Sequence, residues 1–142
     1  MKLSRRDFTR SGVASLALGA LVDLPLAQDS PAAESSGHRP IFIDTDTASD
    51  DAVALMLAFA EPGVEIVGIS TVAGNVPVQQ GTRNAIYVRD LCGSKAPVQR
   101  GAANPLIRPL QNSDAIHGHD GMGDIGLPIR DKAPESTDAV GA

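Results

Sequence analysis

The chain has 142 residues and a net charge of -5, with 42% hydrophobic and 20% charged residues, a size that holds one ordinary domain but not two. The acidic balance argues against a nucleic-acid surface, which needs clustered Lys and Arg, and the single Cys92 excludes an internal disulfide framework. With no Trp, one Tyr and three Phe, the core has to rest on Ala, Val, Leu and Ile.

Ser4-Arg5-Arg6-Asp7-Phe8 stands ahead of an apolar run from Val13 to Val22. A paired Arg before a short apolar segment reads as a twin-arginine-type export signal over residues 1–27, addressed to the periplasm. Asp23 and Pro25 cut the run short, so stable membrane insertion is not expected. Residues 28–39 are rich in Ser, Pro, Ala and Gly and read as a linker. The folded part is expected to start near Pro40 and to occupy residues 40–142.

Ile41-Phe42-Ile43 is a continuous apolar run, the pattern of a strand buried on both faces. From Asp50 or Asp51 to Ala60 the pattern turns helical, with Ser49 and Asp50 as N-cap candidates and Glu61-Pro62-Gly63 as the stop. Val64 to Thr71 is rich in β-branched residues and reads as a second strand, followed by an Ala73-Gly74-Asn75 loop. Val78 to Leu91 predicts a second helix closed by Cys92-Gly93, with Cys92 as a buried, inert thiol. Val98 to Gly101 predicts a third short strand. After Pro105 the chain reads as loop, through the Gly-rich run from His117 to Asp124 and a polar tail from Arg130 to Ala142. Alternation of strand and helix at this spacing implies an α/β fold: a Rossmann-like, open, mainly parallel sheet with flanking helices. Ligands in such sheets gather at the carboxyl ends of the strands.

Asp44-Thr45-Asp46-Thr47-Ala48-Ser49-Asp50-Asp51 puts four carboxylates within eight residues at one such end. Packed like charges repel unless something positive neutralises them. Favourable placement at a helix N-terminus accounts for Asp50 and Asp51, but not for all four. A hard divalent cation accounts for the set, and oxygen-only donors favour calcium or magnesium over zinc. Asn75 falls at the next strand end, where it can hydrogen-bond a polar ligand or simply make a turn. His117 and His119 flank a glycine and are too few for a transition-metal site on their own.

Three motifs together resemble the inosine–uridine preferring nucleoside hydrolase family: Asp44-Thr45-Asp46 running on to Asp50-Asp51-Ala52, Val72-Ala73-Gly74-Asn75-Val76, and Ile116-His117-Gly118 followed by Gly121-Met122-Gly123. Thr82-Arg83-Asn84-Ala85 and Asn104-Pro105-Leu106 also resemble family segments. The resemblance runs from about Pro40 to Pro128. It implies hydrolysis of the N-glycosidic bond of ribonucleosides to ribose and free base by calcium-activated water. It further implies Asp46 as a Ca2+ ligand and general base, Asp51 as a second ligand, Asp50 holding a ribose hydroxyl, and Asp44 supporting the site. Asn75 would contact the ribose, and His117 would lie near the leaving group or the sugar edge. Relatives commonly assemble as homodimers or homotetramers. The family usually carries Pro-Gly after the second Asp, where Thr47-Ala48-Ser49 stands here. Its members are about twice this length, so the chain reads as the N-terminal part of a truncated domain with about half a site, and little activity is expected from it alone.

Two other readings use the same residues. A haloacid dehalogenase-type phosphohydrolase would take Asp44 as nucleophile, Asp46 as acid/base and magnesium as cofactor, leaving Asp50, Asp51 and the Asn75 loop unused. A non-catalytic ribose- or nucleoside-binding module would keep ligand affinity without turnover, giving heat in calorimetry but no free base.

Overall fold

Three parallel strands and two long helices alternate along the chain, in a computed structural model that describes residues 37–142. The expected export signal, and the expected linker apart from its last three residues, lie outside the described residues. Strand β1 (Arg39–Thr45) leads into helix α1 (Ser49–Ala60), strand β2 (Val64–Thr71), helix α2 (Val78–Leu91), strand β3 (Val98–Arg100) and a short helix α3 (Asp114–His117). The sheet order is β1-β2-β3, and both pairings are parallel. The register sets Thr45 beside Thr71 and Thr71 beside Arg100, so all three carboxyl ends reach one rim.

The core lies between the helices and this sheet. Ala52 and Leu55 of α1, Ala85, Ile86 and Val88 of α2, Ile69 of β2 and Val98 of β3 form one buried cluster. Every buried hydrophobic residue among those described is Ala, Val, Leu or Ile, as the scarcity of aromatics requires. Burying each Val, Leu or Ile contributes about 1.5–3 kcal/mol. Helix α2 turns Val78, Thr82, Ala85 and Ile86 inward, the three-and-four spacing that aligns side chains on one helical face. Its one polar contact with β2 inside this packing pairs the buried hydroxyls of Thr71 and Thr82 at 2.7 Å.

Several local expectations change. Strand β1 begins at Arg39 and is not buried on both faces: Phe42 stays 53% exposed, and only Thr45 is buried. Among the described residues it is one of the two edge strands of the sheet, and the Phe42 ring lies over Gly68, where a side chain would collide with it. Helix α1 buries only Ala52 and Leu55, leaving Val53 and Leu57 exposed. Its N-cap is Ala48, which makes no side-chain cap, so neither Ser49 nor Asp50 caps the helix. Cys92 is exposed; it follows the last turn of α2, beyond the inward-facing stripe. The stretch after Pro105 contains the four-residue helix α3 rather than loop alone.

The polar tail is held down by charge. Glu135 accepts from Arg89 at 2.7 Å and from the Val98 backbone N–H at 2.8 Å, and Lys132 pairs with Asp90. Gln99 and Ser136 add a single parallel bridge. Burial pushes the Glu135 carboxyl up, but the Val98 N–H and the Arg89 guanidinium outweigh it and hold the group below its ordinary range. The Lys132 ammonium, with Arg89, depresses Asp90 in the same way against its slight burial. Carboxyls depressed in the folded state stabilise it above their unfolded values, near pH 4, and lose that contribution as pH falls through the folded values. Thermal midpoints should therefore drop steeply on acidification below about pH 4.5, and Glu135→Gln should flatten that drop. An unchanged acid limb in the variant would remove the clamp from the account.

Candidate functional site

Three chain segments meet at the carboxyl rim. Residues 44–51 leave β1, residues 72–76 leave β2, and residues 113–124 fold across from α3. Their contacts define the site.

Asp46 faces the second segment. Its carboxylate accepts the Asn75 backbone N–H at 2.6 Å and the Asn75 side-chain amide at 3.3 Å. Gly74 makes this approach feasible, because a Cβ there would run into the Asp46 carboxylate. Glycine is the residue that lets a backbone approach so closely. Helix α2 packs similarly on the loop, with Gly81 against the Asp46 carbonyl.

Asp51 sits in the first turn of α1 and accepts the Thr45 hydroxyl at 2.9 Å. Burial is the largest influence lifting its carboxyl above the ordinary range; the nearby Asp46 and Asp50 carboxylates add to the rise, and the Thr45 hydrogen bond opposes it. Asp46 and Asp51 are thus close enough to repel. Asp44 is exposed, accepts the Ser70 hydroxyl, and lines a groove of about 270 Å³ with Asp51, Ile43 and Leu55. Asp50 is also exposed.

His117 closes the site from the third segment. Its Nδ1 lies 2.9 Å from the Ser49 hydroxyl and 3.8 Å from the Asp50 carboxylate. The Ser113 N–H donates to the Asn75 carbonyl at 2.8 Å, tying this segment to the second. His119 is turned away; its side chain is 86% exposed and faces Asp114 at 3.3 Å. The loop that follows His117 needs glycine, since Gly118, Gly121 and Gly123 all have positive φ. Asp124 takes the N–H groups of His119 and Asp120, the two bonds that lower its pKa most.

One organising residue carries no role in the sequence-based reading. Asn84 of α2 is fully buried; its amide donates to the Thr47 carbonyl at 3.0 Å and to the Asp120 carbonyl at 2.9 Å, while its oxygen accepts from Gln80 at 3.0 Å. It joins the carboxylate loop to the Gly-rich loop from inside the helix. An Asn in the middle of a helix, on its apolar face, was the available signal, because a buried amide demands partners.

The donor set suits a hard cation in kind. Asp46 and Asp51 offer carboxylate oxygens whose mutual repulsion a divalent ion would relieve. Among the described residues, no three acidic, His or Cys side chains converge as a metal-holding group. Calcium takes six to eight oxygens, so these two carboxylates would supply part of a shell.

Comparison with known proteins places this geometry. The profile of a family described as inosine-uridine preferring nucleoside hydrolase matches residues 41–142. Uridine nucleosidase 1 of Arabidopsis thaliana is 41% identical over 93 residues, covering 64% of this chain and 28% of its own length. The inosine-uridine preferring nucleoside hydrolase of Leishmania major is 42% identical, covering 63% and 29%. The solved structure of an inosine-guanosine nucleoside hydrolase superposes with a TM-score of 0.58 at 43% identity, over 65% of this chain and 28% of its own. A plant nucleoside hydrolase gives a TM-score of 0.64 at 31% identity, over 68% and 31%. The chain thus spans roughly 30% of the length of the relatives it matches.

Proposed function

This chain belongs to the inosine-uridine preferring nucleoside hydrolase family, and from that premise we propose that it carries part of a site hydrolysing the N-glycosidic bond of ribonucleosides to ribose and free base. The observation that supports this most is the meeting of Asp46 and Asn75. A carboxylate is fixed by a backbone N–H and an amide at the strand rim, with a second carboxylate beside it.

Cleaving an N-ribosidic bond builds positive charge on the sugar ring, and fixed carboxylates stabilise that charge. Asp46 accepts the proton of the attacking water; Asn75 keeps its carboxylate from rotating away. Asp50, exposed at the rim, accepts a ribose hydroxyl, Asn75 faces the sugar, and His117 serves as a hydrogen-bonding group near the leaving group or sugar edge. Asp44, anchored by Ser70, supports the strand end. Calcium held by Asp46 and Asp51 would neutralise the paired carboxylates and orient the sugar diol and the water. Family membership removes the support for a phosphohydrolase with Asp44 as nucleophile. The paired Arg5-Arg6 supports export of the folded protein to the periplasm by residues 1–27, with residues 28–39 as linker. Assembly as a homodimer or homotetramer belongs to the same proposal.

Incubating the full-length protein that carries this site with p-nitrophenyl riboside and p-nitrophenyl phosphate in parallel, with calcium and with magnesium, tests the reaction class. Riboside cleavage dependent on calcium is expected. Phosphate cleavage alone would overturn the proposal, and heat on calorimetry with calcium and ribose, with no free base released from nucleosides, would reduce the protein to a nucleoside binder.

The metal assignment has its own readout. Asp51 is held above its ordinary pKa, so its ionisation opposes folding, and that opposition grows as pH rises through the folded value. Calcium should raise the thermal midpoint near pH 7. Asp51→Asn should raise the metal-free midpoint and abolish the calcium response. A calcium shift that survives in the variant would place the ion elsewhere.

A further inference from the structure

We propose that Ser49 is a positioning residue for His117, fixing the imidazole as the Nε2–H tautomer so that a hydrogen-bond donor is offered to the ligand. This rests on the proposed role of His117 in the ribonucleoside site and assigns the partner that sets its chemistry.

The geometry is specific. Ser49 opens helix α1, and its hydroxyl lies 2.9 Å from His117 Nδ1, across 68 positions of sequence. The hydroxyl has no cap to make, because Ala48 occupies the N-cap without a side-chain bond. Among the described residues, His117 is its one side-chain partner. A hydroxyl can donate to Nδ1 or accept from it, and the setting decides between them. The first turn of a helix carries partial positive charge from its unpaired N–H groups. That field favours a lone pair facing the helix over an N–H pointing into it. The Asp50 carboxylate, the group that would pull a proton onto Nδ1, stands at 3.8 Å, beyond hydrogen-bond reach.

Once Nδ1 accepts from Ser49, neutral imidazole must carry its hydrogen on Nε2. No hydrogen bond among the described residues uses Nε2, and none of their buried side-chain nitrogens or oxygens lacks a partner. Nε2 is therefore not sealed inside the protein. The His117 side chain is only 12% exposed, so the ring is held while one edge remains open. The loop is fixed independently at Ser113 by Asn75 and at Asp120 by Asn84, so Ser49 governs the orientation of the ring rather than the presence of the loop.

The test is 15N NMR of the histidine side chains in the full chain, above about pH 8 where imidazole is neutral. Assignment of the three His by His→Gln substitution isolates His117. In the wild type, the unprotonated-type resonance is expected at Nδ1 and the N–H resonance at Nε2. Ser49→Ala should move both resonances toward the average of mixed tautomers, and Ser49→Thr should restore them. An N–H resonance at Nδ1 in the wild type would overturn the proposal without any variant. So would a Ser49→Ala spectrum identical to wild type. The measurement needs neither calcium nor nucleoside, so failure of the riboside assay and failure of this inference are separate results.

Discussion

Asp46→Asn is expected to lower calcium-dependent riboside hydrolysis by the full-length protein by about 10²–10⁴-fold, the range for losing a general base, while the protein stays folded. The substitution keeps the shape of the side chain and removes its charge. Asp46 now accepts two hydrogen bonds from Asn75, the backbone one at 2.6 Å and the amide one at 3.3 Å. An Asn at this position has one acceptor oxygen, which would turn toward the shorter bond and give up the longer. That costs about 1 kcal/mol, and relief of the repulsion with Asp51 offsets some of it. The thermal midpoint without calcium should hence change little, whereas the rise on adding calcium should vanish. Activity, midpoint and calcium response in one purified variant separate a lost base from a lost fold. Normal turnover would take Asp46 out of the mechanism.

The pair explains why the loop tolerates Thr47-Ala48-Ser49 where relatives usually carry Pro-Gly. Freedom of approach is needed on the opposite segment, at Gly74, where any side chain would strike Asp46. Thr47 is fully buried, with its backbone N–H on the Thr45 hydroxyl and its carbonyl on Asn84. The turn is therefore held by hydrogen bonds in place of a flexible residue.

Strand β2 and helix α2 were legible to the residue, since β-branched runs and three-and-four apolar spacing are local signals. Strand β1 was legible as a strand but not in its surroundings, because the exposure of Phe42 depends on what packs over that face of the sheet. The positions of Asp46 and Asn75 at adjacent strand ends followed from the α/β alternation, but their direct hydrogen bond did not. Ser49 and Asn84 were hidden for the same reason. Ser49 resembles an ordinary helix cap until His117 arrives from 68 residues away, and Asn84 resembles a tolerated polar residue until two carbonyls, 37 and 36 residues distant, converge on its amide. Exposure of Cys92 depended on where the apolar stripe of α2 ends, a boundary that periodicity places only to within a turn.

Asn84→Ala is expected to destabilise the fold by about 3 kcal/mol, a loss of roughly 15 °C in the thermal midpoint for a domain of this size. Three hydrogen bonds disappear at a fully buried position. The Thr47 carbonyl belongs to a buried residue and is left short of a partner, at a cost of about 1–3 kcal/mol, whereas Asp120 is only half-buried and can turn to water. The decisive comparison is Asn84→Asp, the closest match in shape. It would keep the bond from Gln80 but point a carboxylate at two carbonyl oxygens, so it should be more destabilising than Ala near neutral pH. Gln80→Ala, which removes only the third and more exposed bond, should cost under about 1 kcal/mol. The order Asp worse than Ala, and Ala worse than the Gln80 variant, is what an Asn84 amide donating to two carbonyls between the carboxylate loop and the Gly-rich loop requires. Equal midpoints for Asn84→Asp and Asn84→Ala would disconnect the two loops and leave His117 to be placed by Ser49 and Ser113 alone.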